Sequence, residues 1–209
     1  MKTLLDLENW NRKEHFEHFS KMEEPFFGVT VDIDCTKAYQ TAKSLKTSFF
    51  IFYLHKTLVA VNSIENFKYR IAENQIYIND RVDVSATIGR EDGTFGFSLM
   101  EYNEDFKIFE KDALAEIERI QTTTGLFTRS FDDDNVIHFS AIPWLDFTSI
   151  SHARSYSYPD SCPKISFGKM MTSETGKKTM TMAVHVHHGL MDGLHVGQFV
   201  DLFQELMNQ

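Results

Sequence analysis

Val184-His185-Val186-His187-His188-Gly189-Leu190-Met191-Asp192-Gly193 is the stretch from which the rest of the chain is best read. The alternation up to His187 has the period of a strand, and the strand delivers His188 at its end. Gly189 and Gly193 allow a tight turn with unusual backbone angles. A helical period then runs over about 195–207, with Val196, Phe199, Val200, Phe203 and Leu206 on one face. The reading is strand, turn, helix, with a histidine on the turn and Asp192 four residues beyond it. A histidine at a cleft edge is the natural general base near neutral pH. The acid four residues later can orient that base or fix the turn that holds it.

Other readings compete. His185 and His187 point to one face of the strand and His188 to the other, so the three do not easily form one zinc site. A pair of strand histidines can be buried and merely hydrogen-bonded, and Asp-Gly is often only a turn. The composite His-His-x-x-x-Asp-Gly is far more specific than its parts.

Upstream, residues 10–22 look like a short charged helix with Asn9 as N-cap, ended by Pro25. Residues 26–33 read as a strand. Asp34 is placed to cap a helix over about 35–46. Ser48 is placed to cap one over about 49–64, where Phe50, Tyr53, Leu54, Leu58 and Val61 fall at helical spacing. Strands are predicted near 67–72, 75–78, 82–89 and 94–100, with Asp92-Gly93 as a turn. Residues 104–121 form a helix with Phe106, Phe109, Ala113, Ile117 and Ile120 on one face. Strands follow at 136–142, 147–151, 163–171 and 178–187. No repeat or linker appears, so residues 1–209 read as one domain. The class is α/β or α+β: a two-layer sandwich of a mixed sheet with helices packed on it.

Composition sets the outer limits. The 209 residues are 42% hydrophobic and 24% charged, which excludes a disordered chain, a collagen-like fibre or a coiled coil. No run approaches the roughly 18 apolar residues of a membrane span. The net charge of −9 and the lack of a basic patch argue against nucleic acid as a partner. Two cysteines, Cys35 and Cys162, are too few for a disulfide scaffold. The N-terminal residues lack a signal-peptide pattern, so a reducing cytoplasm is expected. The 19 Phe and 9 Met residues suggest a core or pocket of flat and flexible apolar side chains.

His187 to Val196 resembles the signature of coenzyme A-dependent acyltransferases of the chloramphenicol acetyltransferase type. Condensation domains of peptide synthetases use the same motif, and dihydrolipoamide acyltransferase cores use a variant. Two further runs narrow the choice to the type A chloramphenicol acetyltransferases. Trp10-Asn11-Arg12-Lys13-Glu14-His15-Phe16-Glu17 resembles their N-terminal helix, and Pro143-Trp144-Leu145-Asp146-Phe147-Thr148-Ser149 resembles their Pro-Trp-x-x-Phe-x-Ser segment. The three runs keep the family's order and spacing, and the similarity spans nearly the whole chain.

The resemblance implies acetyl transfer from acetyl-coenzyme A, as cosubstrate and without a metal, to a primary hydroxyl of chloramphenicol. His188 would be the general base. Ser149 would donate to the oxyanion. Arg12 and Asp192 would form an ion pair that braces the His188 loop. Ser166 stands where the family often has a threonine holding a site water, and Lys169 can help bind coenzyme A phosphates. His187 and His195 would be structural. Phe19, Phe26, Phe27, Phe95 and Phe97 can supply a flat apolar pocket, although each can equally be plain core. The family forms trimers with sites between subunits, so a homotrimer is implied. Two segments depart from the pattern. Residues 22–28 put Glu23 or Glu24 where a cysteine often lines the acceptor site, and a carboxylate is a poor wall for an aryl group unless it points away or pairs. Residues 150–162 are polar and aromatic instead of Asn-rich and apolar. Two alternatives therefore stand beside the first reading: an O-acetyltransferase for another small hydroxyl compound, and an inactive trimeric binding protein.

Overall fold

The computed structural model describes residues 1–130, 134–154 and 160–209. The elements run β1 (Lys2–Leu4), a 3-10 turn (Leu7–Asn9), α1 (Lys13–Phe19), β2 (Phe26–Asp34), α2 (Thr36–Leu45) and α3 (Phe49–Ser63). A second 3-10 turn (Glu65–Lys68) leads to β3 (Tyr69–Ala72), β4 (Gln75–Asn79), β5 (Asp83–Gly89) and β6 (Phe95–Phe97). Then come α4 (Phe106–Thr122), β7 (Val136–Ala141), β8 (Lys164–Phe167), β9 (Met171–Thr172), β10 (Lys178–His187) and α5 (Gly193–Met207).

The main sheet has the order β2-β10-β8-β7-β5-β6, with β9 pairing on β10. The β5–β7 and β7–β8 pairs are parallel and the others antiparallel, so the sheet is mixed as expected. A small antiparallel sheet, β1-β4-β3, stands apart.

Alternation along the central strands explains the layering. Met180, Met182, Val184 and Val186 of β10, Ile137 and Phe139 of β7, and Val84, Ala86 and Ile88 of β5 share one buried cluster with Leu54 and Leu58 of α3 and Phe199 and Phe203 of α5. Each fully buried Leu or Phe there contributes about 1.5–3 kcal/mol. The alternate residues fall on the opposite face: Thr181, Ala183, His185 and His187 of β10, Lys164 and Ser166 of β8, His138 and Ser140 of β7. Register aligns His138, Lys164, His185 and Gly28 in one row across four strands. That polar row is the face on which the site is built.

Several boundaries differ from expectation. Asn9 does not cap α1. It ends the first 3-10 turn, capped by Asp6, and Arg12 occupies the α1 cap position. Asp34 still accepts from the Thr36 amide (2.9 Å), although Cys35 occupies the cap position of α2. Ser48 is at the N-cap of α3 without a side-chain bond. The strand expected over 94–100 shortens to β6, leaving Met100 in an isolated bridge with Val84. Residues 147–151 are not a strand. Pro143 and the exposed Trp144 and Leu145 turn the chain off the sheet, and Ile142 N–H and Lys169 N–H tie the segment to Phe167 and Leu145 carbonyls instead.

Candidate active site

His188 follows directly on β10. Its backbone N–H donates to the Pro25 carbonyl (2.8 Å), which pins the turn to the start of β2. Its ring stacks on Phe19 at 3.9 Å between centroids and 8° between planes, and Phe27 lies at 4.6 Å on a tilt. Two aromatic faces thus hold the imidazole. Its Nδ1 is buried and has no hydrogen-bond partner among the described residues. Nε2 is left as the nitrogen that can meet a substrate proton.

Asp192 turns its carboxylate to Arg12, Leu194 and His195, with no hydrogen bond to that ring. Arg12 Nη1 donates to Asp192 Oδ2 (2.5 Å), and Arg12 Nη2 donates to the His188 carbonyl (3.3 Å). One guanidinium therefore grips both ends of the turn. Asp192 is also the N-cap of α5. It accepts from Leu194 N–H (3.0 Å), while its own N–H donates to His195 Nδ1 (3.2 Å) in a capping box. Burial pushes the Asp192 carboxyl up, but the Arg12 and Leu194 hydrogen bonds and the nearby positive charge outweigh it and hold the group below its ordinary value. His187 locks the turn from the other side: Gly189 N–H donates to His187 Nδ1 (3.1 Å). Burial, then the charge of Arg154, push the His187 pKa down to about 4, so the ring is neutral and able to accept.

The remaining residues singled out in the sequence lie farther out. Ser149 stands exposed in the segment 142–154, and no hydrogen bond joins it to His188. Ser166 is fully buried in β8 on the polar face, its Oγ unpartnered among the described residues. Lys169 is exposed. Phe95 is exposed beside Phe97 and Phe127 at the sheet edge, away from His188. Among the described residues, no cluster of His, Cys, Asp or Glu is arranged to hold a metal ion.

The two departing segments meet each other. Glu24, one of the two carboxylates that the sequence puts near the acceptor wall, pairs with Arg154. The Arg154 guanidinium lies 3.7 Å from the centroid of Phe26, with Lys164 Nζ at 4.6 Å from the same ring. Lys164 donates to Asp160 (2.5 Å). His152 packs edge-on against His185 at 4.8 Å, and burial pushes the His152 pKa down to about 4. Apart from Lys164–Asp160, four residues apart, these contacts join residues distant in sequence, which no local pattern marks. Residues 155–159 of the 150–162 segment lie outside the described residues.

Comparison with known proteins shows the family. The sequence model of the family described as chloramphenicol acetyltransferase matches residues 1–204. Chloramphenicol acetyltransferase 3 of Escherichia coli is 30% identical over 210 residues, covering 99% of this chain and 97% of that protein. A chloramphenicol acetyltransferase of Bacillus pumilus is 29% identical, covering 96% and 91%. A solved chloramphenicol acetyltransferase superimposes with a TM-score of 0.90 at 31% identity, covering 99% of this chain and 100% of that one. A probable dihydrolipoamide acetyltransferase from Listeria monocytogenes shares the fold alone, with a TM-score of 0.68 at 13% identity over 93% of this chain and 88% of that one. From its first strand to its last helix, this chain belongs to the chloramphenicol acetyltransferase family.

Proposed function

We propose that the protein is an acetyl-coenzyme A-dependent O-acetyltransferase that acetylates a primary hydroxyl of chloramphenicol. The observation that carries the reading is whole-length family membership combined with the His188 turn, gripped by Arg12 and backed by two aromatic rings. His188 Nε2 takes the hydroxyl proton as the acceptor oxygen attacks the thioester carbonyl, a step worth roughly 10²–10⁴ in rate. The tetrahedral oxyanion is met by the Ser149 hydroxyl. Its collapse breaks the carbon–sulfur bond, and the departing thiolate takes the proton back from His188. Arg12 and Asp192 brace the turn and move no proton. Ser166 keeps a buried hydroxyl to hold a site water, Phe19 and Phe27 wall the base, and the exposed Lys169 helps bind coenzyme phosphates.

The whole chain acts as one domain. A homotrimer with shared sites supplies the meeting of Ser149 with a His188, which one chain does not provide by any hydrogen bond. The exposed Phe127, Trp144 and Leu145 support such assembly. The free cysteines fit the reducing cytoplasm.

A second reading, another small hydroxyl compound as acceptor, is favoured by one observation: half-buried Arg154 and buried Lys164 flank Phe26, which touches His187 beside the base. The test is to follow free thiol release from acetyl-coenzyme A with and without chloramphenicol, with His188→Ala as control. Release that requires both the antibiotic and His188 supports the first reading. Release only with other alcohols moves the acceptor to the second.

A further inference from the structure

The start of β2 and the segment that carries Ser149 are fastened together by one side-chain system. Glu24 accepts the Phe26 N–H (3.0 Å) and pairs with Arg154. Arg154 covers Phe26, and Phe26 packs edge-on against His187 at 5.7 Å. Pro25, between Glu24 and Phe26, holds the His188 amide through its carbonyl. Arg154 also lies 3.9 Å from Asp160, the partner of Lys164. A guanidinium this well buried, with carboxylates and an aromatic face around it, has little freedom, and removing one partner strands the other.

We propose that Arg154, through Glu24, is a positioning residue for acetyl transfer: it ties the Ser149 segment to the start of β2, and so holds Ser149 for the His188 that a neighbouring subunit presents to it. This rests on the reading of His188 and Ser149 given above. Residues 22–28 and 150–162, the two stretches that depart from the family pattern, are then one compensated change. The carboxylate that is a poor wall for an acceptor is neutralised by the arginine that the other segment brings.

The experiment compares Arg154→Gln, Glu24→Gln, Arg154→Lys and Ser149→Ala with the native enzyme, and adds the double variants. Arg154→Gln is expected to lower kcat by about tenfold to a hundredfold, the usual cost of a small misplacement. KM for acetyl-coenzyme A stays within about twofold, as expected when only transition-state contacts are lost. Arg154→Lys, which keeps the charge, recovers most of the rate. Glu24→Gln with Arg154→Gln is no worse than either alone, and Arg154→Gln has little further effect once Ser149 is alanine. Unchanged kcat, or an Arg154→Gln effect of equal size with and without Ser149, overturns the proposal.

Hydrogen exchange of the His188 amide gives a readout that needs no turnover. Faster exchange in folded Arg154→Gln upholds the link, and unchanged exchange overturns it. Absence of acetyl transfer by the native enzyme, with faster exchange in the variant, strikes the proposed function and leaves the link standing.

Discussion

Arg12 and Asp192 stand 180 residues apart in the chain and 2.5 Å apart at their charged ends. Arg12 is almost fully buried, and its second nitrogen holds the His188 carbonyl. The α1 cap, the His188 turn and the start of α5 therefore close into one unit. Arg12→Ala is expected to cost about 3 kcal/mol by leaving Asp192 without its cation. Asp192→Ala also removes a helix cap, worth about 1 kcal/mol more. Denaturant unfolding measures both. In a double-mutant cycle the two losses should be clearly non-additive. Additive losses would make the contact incidental.

Ser149→Ala should lower kcat by about 10²–10³-fold, the effect of losing one oxyanion donor, with KM for either substrate little changed. Steady-state kinetics separate the outcomes. A raised KM with normal kcat would make Ser149 a binding group, because only a contact that strengthens in the transition state acts on kcat alone.

The neutral His187 predicts an acid-sensitive fold. Its pKa is about 4 in the folded chain against 6.5 for the unperturbed ring. The folded state thus binds fewer protons between those values, and acidification favours unfolding. The contribution is fully present above pH 6.5, falls as pH drops toward 4, and amounts to about 3 kcal/mol. His152 titrates in the same window. Asp192 acts later: its carboxyl is held below 3.8, so its contribution is present above that pH and lost below it. His187→Gln keeps an acceptor for Gly189 N–H but cannot protonate. Its unfolding midpoint should therefore fall less between pH 7 and pH 5 than that of the native chain. An equal fall would assign the slope to other groups.

Legibility followed locality. Alternation in β10 placed His185 and His187 on one face of the strand, and the structure has both on the polar row, opposite the core residues Met182, Val184 and Val186. The 3.6 period placed Phe106, Phe109, Ala113, Ile117 and Ile120 on one face of α4 and Val196, Phe199, Val200, Phe203 and Leu206 on one face of α5; all pack in the core, with Phe106, Ile117, Val200 and Leu206 half-buried at its rim. Segment 147–151 has strand-like composition, yet its apolar neighbours Trp144 and Leu145 face outward, so no local rule marks it as a loop. The three-residue β1 is too short to show a period. The Glu24–Arg154 pair joins residues 130 positions apart, and neither charge announces a partner in its own surroundings.

Gly28 tests the polar row most directly. A Cβ on Gly28 would lie 2.4 Å from His185 Nε2 and 2.5 Å from its Cδ2, far inside contact distance. Only a residue without a side chain lets the His185 ring lie across β2, where it packs on His152. Gly28→Ala should therefore destabilise by about 1–3 kcal/mol through overpacking. Strain of this kind has a specific remedy. His185→Ala removes the ring, so the double variant should unfold at a higher denaturant concentration than Gly28→Ala alone. His185→Ala also exposes a gap beside His152, which makes it mildly destabilising when Gly28 is native. A sign reversal for the same substitution in the two backgrounds is the expected signature of direct contact. If His185→Ala lowers stability equally in both, the ring moves aside at no cost, and Gly28 serves β2 in some other way.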